Sequence, residues 1–286
     1  MTTESASAEA IEAAEFVLRG IGVPVAASAI LRISQHISIG LWPARIVARV
    51  VSVADSRAVE KLRTELEVAR HLVGKSAPII GPVTDHPPGP YFHNNVALTL
   101  WPHLDHETVS EGDDMQAAMA ANALRRVHEG LSDFGGQLPD FWDKPDQCRA
   151  LLENPSSLPA LHPADREFLL ATHAKLRTAL DRLALNHVPI HGDAHFGNVF
   201  IVADGARWHD LEDVCRGPRE WDLSGLADAD LAPFEPVNRD ALSLLSYLRS
   251  LCVSVWCWDK FQLEGKREAA EYHLQYLKSA MAQSLI

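Results

Sequence analysis

A short polar segment followed by a hairpin signal restricts the fold of this chain more than any other feature. The polar segment is His191-Gly192-Asp193-Ala194-His195-Phe196-Gly197-Asn198, and the apolar runs after it span 198–203 and 206–211. An Asp-Gly pair between apolar runs, here Asp204-Gly205, is a strong signal for a β-hairpin. Because the hairpin folds the chain back, Asp210 at the end of its second strand is predicted to lie near Asn198 at the start of its first.

Two carboxylates and an amide in this order suit magnesium-dependent phosphoryl transfer. Asn198 and Asp210 offer the oxygen ligands that Mg²⁺ prefers in proteins. Asp193 would accept a hydrogen bond from an attacking hydroxyl, orient that oxygen toward the transferred phosphate and take its proton. The set therefore predicts a kinase that acts on a hydroxyl group, with Asp193 as the catalytic residue and Asn198 and Asp210 as the metal ligands.

A metal-dependent hydrolase is a competing interpretation of the same segment. His191, Asp193 and His195 alternate along the chain, and on a β-strand all three would share one face. Imidazoles with a carboxylate suit zinc or iron. This alternative leaves Asn198 and Asp210 without a role.

Composition limits the partners that the chain is expected to have. The 286 residues are 47% hydrophobic, which is enough for a large core or for two lobes. The 26 Lys and Arg residues against 38 Asp and Glu residues give a formal net charge of -12, which disfavours nucleic acid and anionic membranes as partners. The four cysteines form no Cys-x-x-Cys pair and the N-terminus lacks the pattern of a signal peptide, so we expect a cytoplasmic protein without a membrane partner.

Hydrophobic periodicity predicts a β-rich N-terminal part and a mainly helical remainder. Helices are predicted at 6–20, 56–73, from Met115 to Leu131, and at 163–185, 237–258 and 264–284. Outside the hairpin, strands are predicted around 30–33, 46–50 and 96–101, with a turn near 40–43. The boundary between the two parts is predicted near residue 102, so that one lobe spans 1–102 and the other spans 103–286.

Three motifs together resemble those of the aminoglycoside phosphotransferase and choline kinase superfamily. They are H-G-D-x-H-x-x-N at 191–198, D-x-E-D at 210–213 and G-P-x-x-W-D-L at 217–223, and the resemblance covers about residues 25–230. It implies an α+β, bilobal protein-kinase-like fold, with a small β-rich N-terminal lobe that covers the nucleotide and a larger, mainly helical C-terminal lobe. It also implies ATP (or GTP) and Mg²⁺ as cofactors, a small-molecule hydroxyl substrate, and a monomer or homodimer.

The resemblance assigns further residues to the site. Nucleotide contacts fall on Ser34, Arg49, Glu65, Leu100, Trp101 and His103, and support of the catalytic loop falls on His191, His195 and Asp222. Arg49 would contact the phosphates and Glu65 would pair with it, while main-chain groups at 100–103 would hold adenine. Ser34 stands in a segment that lacks the glycine-rich phosphate loop of protein kinases.

The part of the chain after residue 222 supplies the substrate wall in this superfamily. Its candidate wall residues are Asp228, Asp230, Trp256, Trp258 and Asp259. Acids with aromatic rings suit a cationic acceptor such as an aminoglycoside-like antibiotic or an amino sugar. Trp256 and Trp258 lie about 200° apart on a helix, so at most one of them can line the wall. A choline-type or sugar-type metabolite kinase and a non-catalytic nucleotide-binding module of the same fold are the other hypotheses.

Overall fold

The computed structural model describes residues 3–226, 229 and 231–283 and divides into two compact units. Unit 1 comprises Met1–Gly136 and Phe196–Val214, and unit 2 comprises Gln137–His195 and Cys215–Ile286. These units differ from the two lobes that were predicted to meet near residue 102, because unit 1 continues to Gly136 and includes a later segment. The lobe boundary stays a prediction. The chain passes from unit 2 to unit 1 between His195 and Phe196, so the polar segment contributes to both units.

Eight helices and ten strands make up the described part of the chain. The helices are α1 (Thr3–Gly20), α2 (Ser56–Gly74), α3 (Asp114–Leu131), α4 (Asp143–Glu153), α5 (Pro163–Asp181), α6 (Arg219–Leu223), α7 (Arg239–Asp259) and α8 (Lys266–Ala282). The strands are β1 (Val25–Ile33), β2 (Ile37–Pro43), β3 (Ile46–Ser52), β4 (Tyr91–His93), β5 (Val96–Pro102), β6 (Glu107–Thr108), β7 (His187–Ile190), β8 (Val199–Val202), β9 (Gly205–Trp208) and β10 (Cys215–Pro218). This content confirms the predicted α+β class.

Unit 1 contains a five-stranded antiparallel sheet in the order β1-β2-β3-β5-β4, with a helix on each face. Side chains alternate between the faces of a strand. Ala48 and Val50 of β3 therefore share a core with α1, while Val51 packs with Leu62 of α2 on the other face. The same alternation turns Arg49 away from the α1 core and toward α2.

The predicted turn near 40–43 is wrong, because these residues belong to β2: all four pair with β1, and Gly40 and Leu41 also pair with β3. The turn comes two residues later, where Arg45 has a positive φ of 53°. Gly40 is needed for close packing inside the strand and not for a turn. A β-carbon placed on Gly40 would lie 2.4 Å from the Cη2 atom of Trp42.

The predicted hairpin forms in unit 1 from β8 and β9, and Gly205 takes a φ of 126° at its turn. Strand β6 adds a third strand beside β8. The hairpin is attached to α3 through Trp208, whose buried indole Nε1 donates to the Ala120 carbonyl at 3.0 Å.

Unit 2 is built mainly from helices around one hydrophobic core. The predicted helices at 163–185, 237–258 and 264–284 correspond to α5, α7 and α8, whereas α4 and α6 were not predicted. By length and composition α7 is apolar enough to cross a membrane, but 61% of its most apolar window is buried, as in a core helix. A two-stranded sheet of β7 and β10 leads into the polar segment.

Two positions on α3 test how burial controls stability in unit 1. Leu124 is fully buried, whereas Met115, which the periodicity predicted on the apolar face, is 70% exposed in the first turn. We expect Leu124→Ala to lower the free energy of unfolding by about 2–5 kcal/mol, because it leaves a cavity. Met115→Ala, the matched control on the same helix, should change it by less than about 0.5 kcal/mol. Urea denaturation of both variants measures this difference, and equal effects would contradict the packing described.

Candidate active site

The segment that carries Asp193 is a loop between β7 and a turn of 3₁₀ helix at Phe196–Asn198. The fully buried carboxylate of Asp222 holds this loop by accepting hydrogen bonds from the backbone N–H of His191 at 2.7 Å and of Gly192 at 2.8 Å. The indole Nε1 of Trp221 donates to the Gly192 carbonyl at 2.9 Å. These hydrogen bonds with Asp222 and Trp221 hold the backbone of the loop in place, which is what the predicted support role of Asp222 requires.

The two histidines of the loop have different surroundings. His191 is fully buried, and its Nδ1 accepts a hydrogen bond from the backbone N–H of Asp193 at 3.4 Å. His195 has a side chain that is 42% exposed, with Nε2 at 3.7 Å from the Asp193 carboxylate. The hydrolase interpretation needed a strand with all three side chains on one face, and this expectation is wrong because the loop bends at Gly192, where φ is 80°.

Asp193 is surrounded by cationic groups of unit 2. The guanidinium Nη1 of Arg249 lies 3.6 Å from Asp193 Oδ1. Burial alone would raise the pKa of Asp193, but the charges of Lys144, His195 and Arg249 outweigh it and hold that pKa well below its usual range. Asp193 is therefore ionised at neutral pH and can accept a hydrogen bond from a hydroxyl.

Arg249 is held in place by neighbours on α6 and just after it. Its Nε donates to Ser224 Oγ at 3.1 Å, and its guanidinium carbon lies 5.0 Å from the centre of the Trp221 ring. The motif analysis did not predict Arg249 or Lys144, because neither is near the polar segment in sequence. A single arginine inside the apolar helix α7 was the only signal that could have drawn attention to it.

In unit 1, Arg49 links β3 to α2 and to the segment after the hairpin. Its Nη1 donates to Glu65 Oε1 and lies 3.0 Å from Asp210 Oδ1. The same Glu65 oxygen accepts a hydrogen bond from the backbone N–H of Leu211 at 3.2 Å. The predicted pairing partners are therefore in contact, while their role toward phosphate stays a prediction.

Burial and like charge change the acidity of this cluster. Burial raises the pKa of Glu65 to about 7, with Asp210 and Glu212 adding to the effect, even though Arg49 opposes it. Burial would lower the pKa of Arg49, but the carboxylates of Glu65, Asp210 and Glu212 outweigh it and raise that pKa. Arg49 therefore keeps its positive charge.

Asn198 and Asp210 lie at the open end of the β8–β9 hairpin. Asn198 is 1% exposed, and its backbone carbonyl accepts a hydrogen bond from the His209 backbone N–H at 3.1 Å. The prediction that a strand extends to Asp210 is wrong, because β9 ends at Trp208 and Asp210 has a left-handed backbone with φ 66°. An amide oxygen and a carboxylate are donors that fit Mg²⁺.

The predicted adenine-binding segment lies at the end of β5 and continues to His103, just after the strand. Two of its N–H groups are already used, because Leu100 donates to the Pro88 carbonyl at 2.9 Å and His103 donates to the Arg45 carbonyl at 2.7 Å. The buried ring of Trp101 lies 5.5 Å from the Arg49 guanidinium carbon. Contact of this segment with adenine stays a prediction.

The β1–β2 turn contains both the predicted Ser34 and a residue that was missed. Ser34 is exposed, and its N–H donates to the His36 carbonyl at 3.0 Å. His36 itself is only 5% exposed, with Nδ1 at 3.5 Å from Glu212 Oε2. An isolated histidine in a polar turn gave no sequence signal for burial.

The predicted substrate wall is only partly described by the structure. Asp228 and Asp230 lie outside the described residues. Trp258 is 5% exposed and packs in the core of unit 2, so its assignment to a substrate wall is wrong. Trp256 has Lys144 Nζ 5.6 Å from its ring, and Asp259 is exposed at the end of α7. The aromatic ring that was expected to meet a cationic substrate thus already faces a lysine of the protein.

A family comparison agrees with this arrangement. The model of the phosphotransferase enzyme family matches residues 28–262, which is most of the chain. The chain belongs to this family. The predicted membership is confirmed, and it makes this protein a phosphotransferase. No individual curated protein sequence matches the chain.

Solved structures confirm the predicted protein-kinase-like fold of this phosphotransferase. A GDP and kanamycin complex of APH(2″)-IIia has a TM-score of 0.71 at 14% identity, covering 96% of this chain and 99% of that one. The amicoumacin kinase hAmiN, in complex with AMP-PNP and Ca²⁺, has a TM-score of 0.71 at 12% identity, with coverages of 97% and 96%. Choline kinase LicA from Streptococcus pneumoniae has a TM-score of 0.70 at 14% identity, with coverages of 95% and 99%.

The cations around Asp193 should control the pH dependence of phosphate transfer. In the wild type, Asp193 stays ionised above about pH 4, so it should produce no acid limb between about pH 5 and 8. Arg249→Met removes one of these charges and should raise the pKa of Asp193, which NMR titration of its carboxyl group in the folded protein measures, whereas Arg249→Lys should leave that pKa close to the wild-type value. An unchanged Asp193 pKa in Arg249→Met would show that Arg249 does not act on Asp193.

Close packing behind the loop that carries Asp193 should make Gly225 essential for phosphate transfer. A β-carbon on Gly225 would lie 1.8 Å from the Ala194 carbonyl oxygen and 3.0 Å from the guanidinium carbon of Arg249. Gly225→Ala must therefore move the loop, and displacing Asp193 by about 1 Å should reduce kcat about a hundredfold. Gly135→Ala is the control, since its β-carbon meets nothing within 4 Å. Equal kcat values for the two variants would rule out this tight contact.

Proposed function

We propose that this phosphotransferase moves the γ-phosphate of ATP to a hydroxyl group of a small molecule, with Mg²⁺ as its metal. The observation that carries the proposal is Asp193, ionised beside Arg249 on a loop anchored by Asp222, in a chain whose family transfers phosphate. The Arg49–Glu65–Asp210 cluster of unit 1 supports it, because it offers a cation for phosphate and a carboxylate for the metal.

The protein's own groups perform the proposed reaction in a simple order. Asp193 accepts a hydrogen bond from the acceptor hydroxyl and directs its oxygen at the γ-phosphorus. A bond forms between that oxygen and phosphorus while the bond from phosphorus to the bridging oxygen breaks, so that ADP leaves. Asp193 takes the hydroxyl proton and releases it to solvent. Asn198 and Asp210 would hold Mg²⁺, which neutralises charge on the phosphates when it is bound.

Two acceptor classes have support from different observations. Relatives are described in complex with kanamycin or as choline and ethanolamine kinases, which favours an amino-bearing alcohol such as an aminoglycoside-like antibiotic, and the net charge of -12 agrees. Lys144 and Arg249 near Asp193 instead favour an acceptor whose reacting end is neutral or anionic. GTP is the alternative donor, since two of the relatives are described in complexes with GDP.

Asp193→Asn tests the proposed chemistry. The amide cannot take the hydroxyl proton, so phosphate transfer should fall by at least about a hundredfold. Binding of a non-hydrolysable ATP analogue should change little, because Asp193 is not a predicted nucleotide contact. Turnover is measured with ATP and with GTP on an acceptor panel that includes kanamycin, choline and a matched set of glucosamine, glucose and glucuronate.

The outcomes separate the hypotheses. Phosphate transfer by Asp193→Asn at the wild-type rate would contradict the proposed mechanism. Nucleotide binding by the wild type without transfer to any acceptor would favour the non-catalytic module. Within the panel, faster transfer to glucosamine or to glucuronate decides between a cationic and an anionic acceptor, because these sugars share a ring and differ in charge.

A further inference from the structure

His36 is a buried imidazole that the proposed reaction does not use. It is 5% exposed in unit 1, at the end of the β1–β2 turn. Its Nδ1 faces Glu212 Oε2 at 3.5 Å, and this nitrogen has no hydrogen-bond partner among the described residues. The side chain of Glu212 is only 10% exposed. Burying an imidazole nitrogen beside a carboxylate without a hydrogen bond costs free energy, unless a third group, such as a metal ion, binds both of them.

Asp210 brings a second carboxylate to the same place. One ligand atom from each of His36, Asp210 and Glu212 lies within 4.8 Å of the others. Four ligands around zinc at about 2.1 Å lie about 3.4 Å from each other. The 3.5 Å distance between His36 Nδ1 and Glu212 Oε2 already matches this ligand–ligand distance. The third ligand, Asp210, lies within 4.8 Å of both and needs to approach by about 1.4 Å at most.

The donor types indicate which ion this group would bind. An imidazole with two carboxylates suits Zn²⁺, whereas Mg²⁺ prefers an all-oxygen set such as Asn198 with Asp210. Arg49 lies 3.0 Å from one Asp210 oxygen and reduces the negative charge there, but the two carboxylates of Asp210 and Glu212 outnumber this one cation and leave the cluster anionic. A divalent cation would balance that charge.

We propose that His36, Asp210 and Glu212 bind a transition metal ion, Zn²⁺ above all, when no nucleotide is present. The ion connects the β1–β2 turn to the segment after the β8–β9 hairpin. Water fills the remaining coordination positions. Mg²⁺ bound with nucleotide would also need Asp210, so binding of Zn²⁺ and binding of the Mg²⁺–nucleotide complex exclude each other. Only this competition rests on the proposed function.

The test is a calorimetric Zn²⁺ titration of the full-length protein after chelator treatment. The wild type should bind one Zn²⁺ per chain, and His36→Gln should weaken that binding by about a hundredfold or more, since even an outer-shell partner of a metal is worth about 10–100-fold. His93→Gln is the matched control, a histidine of β4 in the same unit that stacks on Phe16 and should bind Zn²⁺ as the wild type does. Urea denaturation without metal shows whether each variant is folded.

Further measurements separate this site from the proposed kinase reaction. Glu212→Gln should weaken Zn²⁺ binding as His36→Gln does. Equal Zn²⁺ affinity in the wild type and His36→Gln would overturn the site, whatever the kinase activity. Saturating Mg²⁺ with AMP-PNP should weaken Zn²⁺ binding, and an unchanged affinity would overturn the sharing of Asp210. If no acceptor is phosphorylated but Zn²⁺ binding still depends on His36, the proposed function fails and the metal site stands.

Discussion

The buried carboxylate of Asp222 makes the contact on which the loop that carries Asp193 depends. It accepts two backbone N–H groups in a place with no exposure to water, so both charge-assisted bonds form in a low-dielectric environment where they are strong. The loop has no regular secondary structure of its own, and without Asp222 its amide groups would be buried and unsatisfied. The orientation of Asp193 thus comes from a residue 29 positions further along the chain, helped by Trp221 and by the absence of a side chain at Gly225.

Unit 1 has its own charged centre, formed by Arg49, Glu65 and Asp210. Removing one member of such a buried ion-pair set leaves its partner's charge buried without compensation. This lowers the stability of the fold by more than the net contribution of the pair. The Leu211 N–H bond to Glu65 ties the backbone after the hairpin to α2, so this centre also fixes where the predicted metal ligand lies. The position of Asp210 therefore depends on α2 and β3 as well as on the hairpin.

Local patterns predicted those parts whose structure is decided by neighbouring residues. The Asp204-Gly205 turn, the helical spacing of α2 and the apolar run of β5 all gave correct elements, and the motif residues identified the family. The turn near 40–43 was misplaced because Gly40 serves a ring contact inside a strand, which composition does not distinguish from a turn. Lys144, Arg249 and His36 were missed because each acts on a partner more than 40 residues away, and a single sequence carries no record of such contacts.

The left-handed backbone at Asp210 narrows the residues that this position can carry. Among non-glycine residues, Asn and Asp adopt a positive φ most readily, because their short side chains bond locally. Glutamate would retain the charge but would add backbone strain and a longer reach, and glycine would accept the backbone but supply no ligand. The left-handed backbone and the predicted metal site thus both favour aspartate at position 210, for different reasons. An Asp→Glu substitution, which is conservative elsewhere in the chain, is therefore not conservative here.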